Sequence, residues 1–100
     1  MYEIVIHEGA EEDLNAAAQY YESRETNLGE EFLKELTLTF LRIRERPLTY
    51  STLFDEYHRC LLTRFPYGVV YRVEEERVLV FAVAHLRRRP GYWRARVQVF

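Results

Sequence analysis

The chain reads as an α+β fold: an N-terminal strand, a helical hairpin and then a three-stranded antiparallel meander, with the helices packed on one face of a small sheet. Three patterns predict it. A short β-branched alternation opens the chain. Two segments with apolar residues at helical spacing follow. The remainder is divided by turn residues into short apolar runs. A length of 100 residues, with no repeat, linker or low-complexity stretch, suits one domain over residues 1–100.

Residues 2–7 alternate and are rich in β-branched side chains, so they read as a strand that Glu8-Gly9 breaks. From Ala10 to about Ser23, apolar side chains recur at Ala10, Leu14, Ala17, Ala18 and Tyr21, one face of a helix. Glu11, Glu12 and Asp13 lie in its first turn, where the helix dipole favours negative charge. Asn27 followed by Glu30 fits a capping box and starts a second helix. Its apolar stripe is Phe32, Leu33, Leu36, Phe40 and Ile43, its basic end is Arg42, Arg44 and Arg46, and Pro47 stops it. Residues 48–56 read as a loop, 57–65 as a strand, Pro66-Tyr67-Gly68 as a tight turn and 69–73 as the hairpin partner. Glu74-Glu75-Glu76 turns the chain into residues 77–85. That stretch is nearly continuous in apolar side chains and belongs in the interior of a sheet. Tyr20, Tyr21, Phe32 and Phe40 are expected in the core.

A content of 48% hydrophobic and 15% aromatic residues is enough for one core and argues against disorder. Cys60 is the only cysteine; it cannot form an internal disulfide and reads as a buried strand residue. No apolar run reaches the length of a membrane span, and the N-terminus lacks a basic region followed by an apolar stretch, so a cytoplasmic protein with no membrane partner is expected. His7, His58 and His85 have no metal-ligand spacing, and no glycine-rich phosphate loop is present, so neither metal nor cofactor is expected.

The net charge of −2 hides an asymmetry. Residues 1–46 carry 11 acids against 5 bases, and residues 47–100 carry 5 acids against 9 bases. No acid follows Glu76, and every base except Lys34 is an arginine. Five arginines, one histidine, one tyrosine and the single tryptophan fall between His85 and Arg96. Guanidinium groups grip carboxylates and phosphates bidentately and stack on aromatic planes. Arg, Tyr and Trp are also the side chains enriched at interface hot spots. The segment therefore reads as a surface for an anionic partner, through Arg87, Arg88, Arg89, Tyr92, Trp93 and Arg96. Within it Trp93 is expected to pack on the sheet and Tyr92 to be exposed. Arg72 is expected to pair with Glu74.

Arg59…Arg64-Phe65-Pro66-Tyr67-Gly68-Val69-Val70-Tyr71, followed by Ala84-His85, three arginines, Pro90 and Tyr92-Trp93, resembles the RelE/ParE superfamily of type II toxins, also called plasmid-stabilisation proteins. The likeness runs over essentially the whole chain. It implies a growth-inhibiting toxin neutralised by a cognate antitoxin that covers its basic surface. Some members of that superfamily cut messenger RNA on the ribosome; others bind and poison DNA gyrase. For the first activity the resemblance would assign His85, Arg64, Arg87 and Tyr92 to proton transfer, phosphorane stabilisation and base stacking. A plain alternative is that His85 only closes its strand by bonding to backbone. The sparse catalytic inventory, and the lack of lysines over residues 48–62, favour the gyrase-directed class. The key residues would then be the arginine-aromatic segment. An antitoxin would add contacts to apolar surface on the helical hairpin through an acidic, amphipathic segment.

Overall fold

β1 (Glu3–Ile6), α1 (Glu8–Arg24), α2 (Leu28–Glu45), β2 (Thr52–Phe54), β3 (Tyr57–Leu61), β4 (Tyr67–Glu74) and β5 (Arg77–His85) follow one another along the chain, and a 3-10 segment at Arg94–Val99 ends it. This computed structural model describes residues 2–99, Val99 by its backbone alone. The strands form one five-stranded sheet in the order β1-β5-β4-β3-β2. β1 runs parallel to β5, and the other pairs are antiparallel.

The expected α+β class holds, with one strand more than the hydropathy pattern marks. β2 lies within the stretch read as a loop. It pairs with β3 through Thr52↔His58 and Phe54↔Tyr57. Three residues, two of them exposed, are too few to carry an alternation. β3 also ends earlier than expected. The reversal falls over residues 62–66, closed by the Leu62 N–H to the Tyr67 carbonyl at 2.9 Å, so Tyr67 and Gly68 already belong to β4.

The start of α1 and the capping of α2 differ from the sequence reading, while α2 begins directly after Asn27 as expected. Glu8-Gly9 does end β1, but it is the first turn of α1: His7 caps the helix, its Nδ1 accepting from the Gly9 N–H at 2.8 Å. Asn27 precedes α2 in the left-handed region at φ 72° and makes no side-chain cap. The capping carboxylate comes from the preceding helix instead, Glu22 accepting from the N–H groups of Asn27 and Gly29, each at 3.0 Å. Glu22 thus satisfies donors that a helix start leaves unpaired. Gly29 is needed because a Cβ there would stand 2.5 Å from the Ala18 carbonyl.

The helices cover one face of the sheet. Ala10, Phe32, Leu36, Ile43, Val69, Tyr71, Val78 and Val80 form that core. Tyr21 and Phe40 pack at its margin, whereas Tyr20, expected inside, is exposed. The opposite face carries a second cluster of Val70, Leu79, Phe81, Ala82 and Trp93. β5 is buried on both sides, as its continuous apolar run predicts. Its alternation changes phase midway. Val70 pairs with Ala82 but Tyr71 with Val80, so Phe81 is an extra residue in a β-bulge. Leu79 and Phe81 therefore face the second cluster, as does Ala82, while Val83 returns to the helical side.

Tyr71 ties the two layers. Its ring is buried, its hydroxyl donates to the Pro47 carbonyl just past α2, and His58 stacks on it at 5.2 Å. Burial holds the Tyr71 hydroxyl well above the usual tyrosine range. Tyr71→Phe leaves the Pro47 carbonyl without this donor and should cost about 1–2 kcal/mol in urea unfolding. The raised pKa also sets a sign. The folded state keeps the proton while the unfolded chain ionises near pH 10. Unfolding free energy should therefore fall as pH rises above about 10, less steeply in Tyr71→Phe; equal slopes would contradict this origin.

Candidate binding site

β1 ends at Ile6, paired with Val80, so beyond that point β5 has no strand neighbour on this side. Two side chains take over. The Asp13 carboxylate on α1 accepts from the Val83 N–H at 3.1 Å, and the Arg96 guanidinium donates to the Phe81 carbonyl at 2.9 Å. Asp13 and Arg96 also form an ion pair of 2.8 and 3.2 Å, and the Tyr92 hydroxyl donates to Asp13 at 2.9 Å. With side-chain exposures of 7% and 18%, the pair is largely shielded from water. Burial, and the negative charge of Asp13 beside it, push the Tyr92 hydroxyl well above its usual range. The Asp13 hydrogen bond raises the Arg96 pKa. Gly9 makes room for this arrangement, since a Cβ there would lie 2.5 Å from Arg96 Nε.

These contacts strap residues 91–99 onto the sheet. Gly91 takes the turn at φ 77°. Trp93, 3% exposed, then stacks on Phe54 at 5.8 Å and on Phe81 at 6.2 Å. Trp93 packs as expected; Tyr92 does not stand exposed as expected, because Asp13 holds its hydroxyl. Arg96, read from sequence as a partner-binding residue, is spent on the internal clamp. Asp13, which nothing in the sequence separates from its neighbours Glu11 and Glu12, anchors it.

Between the strap and the ends of β4 and β5 lies a cleft of about 280 Å³. Val70, Ala84, Phe54 and Trp93 give it apolar walls, Arg59, Arg88, Arg89 and Arg94 give it charge, and among the described residues no carboxylate lines it. Arg88 lies 3.8 Å from the centre of the Tyr92 ring, and Arg94 lies 4.4 Å from that of Phe54. His85 stands at the rim. Its Nδ1 accepts from the Arg87 N–H at 3.0 Å, so the neutral ring carries its proton on Nε2.

The four residues that proton transfer would require are not gathered here. Arg64 sits on the turn before β4, bound to Glu31 at 2.9 Å, and lines a separate groove with Glu31, Lys34, Glu35 and Arg42. Arg87 is exposed and meets His85 through its backbone. Tyr92 lines the cleft, but its proton is held by Asp13. Arg72 pairs with Glu74 at 3.0 Å as expected. Cys60 is buried, which pushes its thiol pKa up. Among the described residues no helix is long and apolar enough to cross a membrane. No cluster of three His, Cys, Asp or Glu among them could hold a metal ion.

A helical hairpin covers one face of the small mixed sheet, and the arginine-lined cleft lies on the other. The family model described as the ParE toxin of the parDE type II toxin–antitoxin system matches residues 4–90, and the chain belongs to that family. Toxin ParE2 of Mycobacterium tuberculosis, in strains CDC 1551 / Oshkosh and H37Rv, is 29% identical over 87 residues, which cover 86% of this chain and 83% of the relative. The solved chromosomal ParDE TA system from P. aeruginosa contains a chain of the same fold, with a TM-score of 0.63 at 15% identity, covering 85% of this chain and 96% of that one. The protein is thus the toxin of a type II system, its partner an antitoxin.

Asp13→Asn removes a buried charge opposite Arg96 and should cost about 3 kcal/mol. Because Trp93 is the only tryptophan, loosening of the strap is directly visible: its emission should shift to the red before global unfolding. An unshifted emission in Asp13→Asn would show that Trp93 stacking alone holds the strap.

Proposed function

We propose that this toxin acts by binding and that its target is DNA gyrase, in the cytoplasm. The carrying observation is that His85, Arg64, Arg87 and Tyr92 do not form one proton-transfer site. His85 is bonded to the Arg87 N–H, Arg64 is paired with Glu31, and the Tyr92 hydroxyl is committed to Asp13. Membership of the ParE family supports the same choice. Arg87, Arg88 and Arg89, on the loop after β5, are the contacts offered to the target or to the antitoxin. In the silent complex the antitoxin covers this loop and the cleft, and packs apolar residues on the exposed Leu38 and Leu41 of α2.

Induction of the chain alone should depress thymidine incorporation into DNA before amino-acid incorporation into protein, and the purified toxin should inhibit supercoiling by gyrase. His85→Ala should keep full toxicity. Loss of toxicity in a folded His85→Ala protein, with transcripts cut only when ribosomes are present, would replace this reading by a messenger RNA endoribonuclease. Replacing Arg87, Arg88 and Arg89 together by alanine should weaken the antitoxin complex about tenfold or more and flatten its dependence on salt. An affinity unchanged across salt concentrations would exclude the loop from the interface.

A further inference from the structure

We propose that Arg88 is the anion-binding point of the cleft, that Tyr92 positions it, and that the cleft takes an aliphatic and acidic polypeptide segment. The inference rests on the reading of this chain as an antitoxin-neutralised toxin. It adds which side chains of the cleft meet the partner and in what role.

The Tyr92 ring has two guanidinium neighbours, Arg88 at 3.8 Å and Arg96 at 5.1 Å. Arg96 is neutralised by Asp13 at 2.8 Å. No ion pair with a carboxylate engages Arg88 among the described residues. Stacking occupies the face of a guanidinium and leaves its N–H edge for a ligand. Tyr92 cannot swing away, because its hydroxyl is held by Asp13. Arg88 is therefore stacked on a fixed ring and has no ion pair among the described residues; the cleft also holds Arg59, Arg89 and Arg94, and Glu12 and Asp13 line the adjoining groove that Arg88 borders.

The rest of the lining selects between anionic partners. Single-stranded nucleic acid is bound by stacking bases on open aromatic rings. Here Phe54 is stacked on Trp93 with Arg94 over it, and the Tyr92 ring lies under Arg88. The exposed apolar groups at the rim are aliphatic: Leu53 at 37% and Leu86 at 46%. Leucine beside arginine fits a peptide that alternates aliphatic and carboxylate side chains.

The test is fluorescence anisotropy on the full chain, with two labelled probes. One is a peptide carrying leucine and glutamate at helical spacing; the other is oligothymidylate of equal charge. The peptide should bind more tightly. Arg88→Ala and Tyr92→Leu should each weaken it about tenfold, and the double variant should be no weaker than either, because Tyr92 acts through Arg88. Tyr92→Phe keeps the ring but removes its tether to Asp13, so it should weaken binding by less than Tyr92→Leu does. If Tyr92→Leu fails to fold, Arg88→Lys decides: it keeps the charge but cannot lie flat on the ring, so weakening close to that of alanine supports the inference and wild-type affinity overturns it. Absent peptide binding, tighter binding of oligothymidylate, or additive losses in the double variant would each overturn it. Gyrase supercoiling measured on the same preparations separates the two readings. Gyrase inhibition without peptide binding removes this inference alone, and peptide binding with gyrase untouched removes the gyrase target alone.

Discussion

β5 outruns its parallel neighbour. β1 stops at Ile6, and the backbone of β5 beyond Val80 would lose its ladder in a region buried on both faces. Unpaired buried amides and carbonyls cost as much as lost hydrogen bonds. A carboxylate from α1 and a guanidinium from the far end of the chain take the place of the missing strand, Asp13 at the Val83 N–H and Arg96 at the Phe81 carbonyl. The two then neutralise each other. A pair of opposite charges is suited to this position, because one supplies acceptors, the other donors, and neither is left alone in a poorly solvated place.

The position of the clamp determines what the second face of the sheet becomes. With Arg96 fixed, the strap lays Trp93 over Phe81 and against Phe54, which closes the cluster that β4 and β5 leave apolar. The same strap supplies one wall of the cleft through Tyr92, Trp93 and Arg94. The cleft is thus a by-product of covering the second face. Two of its cations, Arg88 and Arg94, stay in place because the rings of Tyr92 and Phe54, packed beside the second cluster, lie beneath them.

Charge is sorted by layer. The acids of the first half sit largely on the two helices, and several serve structure there: Glu22 caps α2, Glu35 accepts from the Thr63 and Arg64 N–H groups, and Glu31 holds Arg64. The cleft, on the other side of the sheet, receives arginines only. Asp13 crosses between the layers, and it is nearly buried and fully engaged. Arg88 lies at the boundary, lining this cleft and also a groove beside Glu12 and Asp13 of α1.

Local pattern was enough for the elements that carry their own signal. The two amphipathic helices, the stop at Pro47 and the doubly buried β5 follow from spacing and from residues whose conformational limits act locally. The arginine-aromatic segment, and the family likeness, could also be read along the chain. Long-range geometry decided the rest. β2 exists because β3 offers it an edge. Glu22 displaces Asn27 as the cap because the hairpin brings its carboxylate to the start of α2. The bulge at Phe81 shifts the alternation of β5, which no hydropathy pattern reveals in a run apolar on both faces. Arg64, to which the family likeness assigned a part in phosphoryl chemistry, is drawn to α2, and Arg96, read as a partner contact, into the clamp. Partnership between Asp13 and Arg96, 83 positions apart, arises only where the folded sheet ends one strand short. Sequence determines which side chains are available, and the tertiary structure decides which of their charges are consumed inside and which remain to bind.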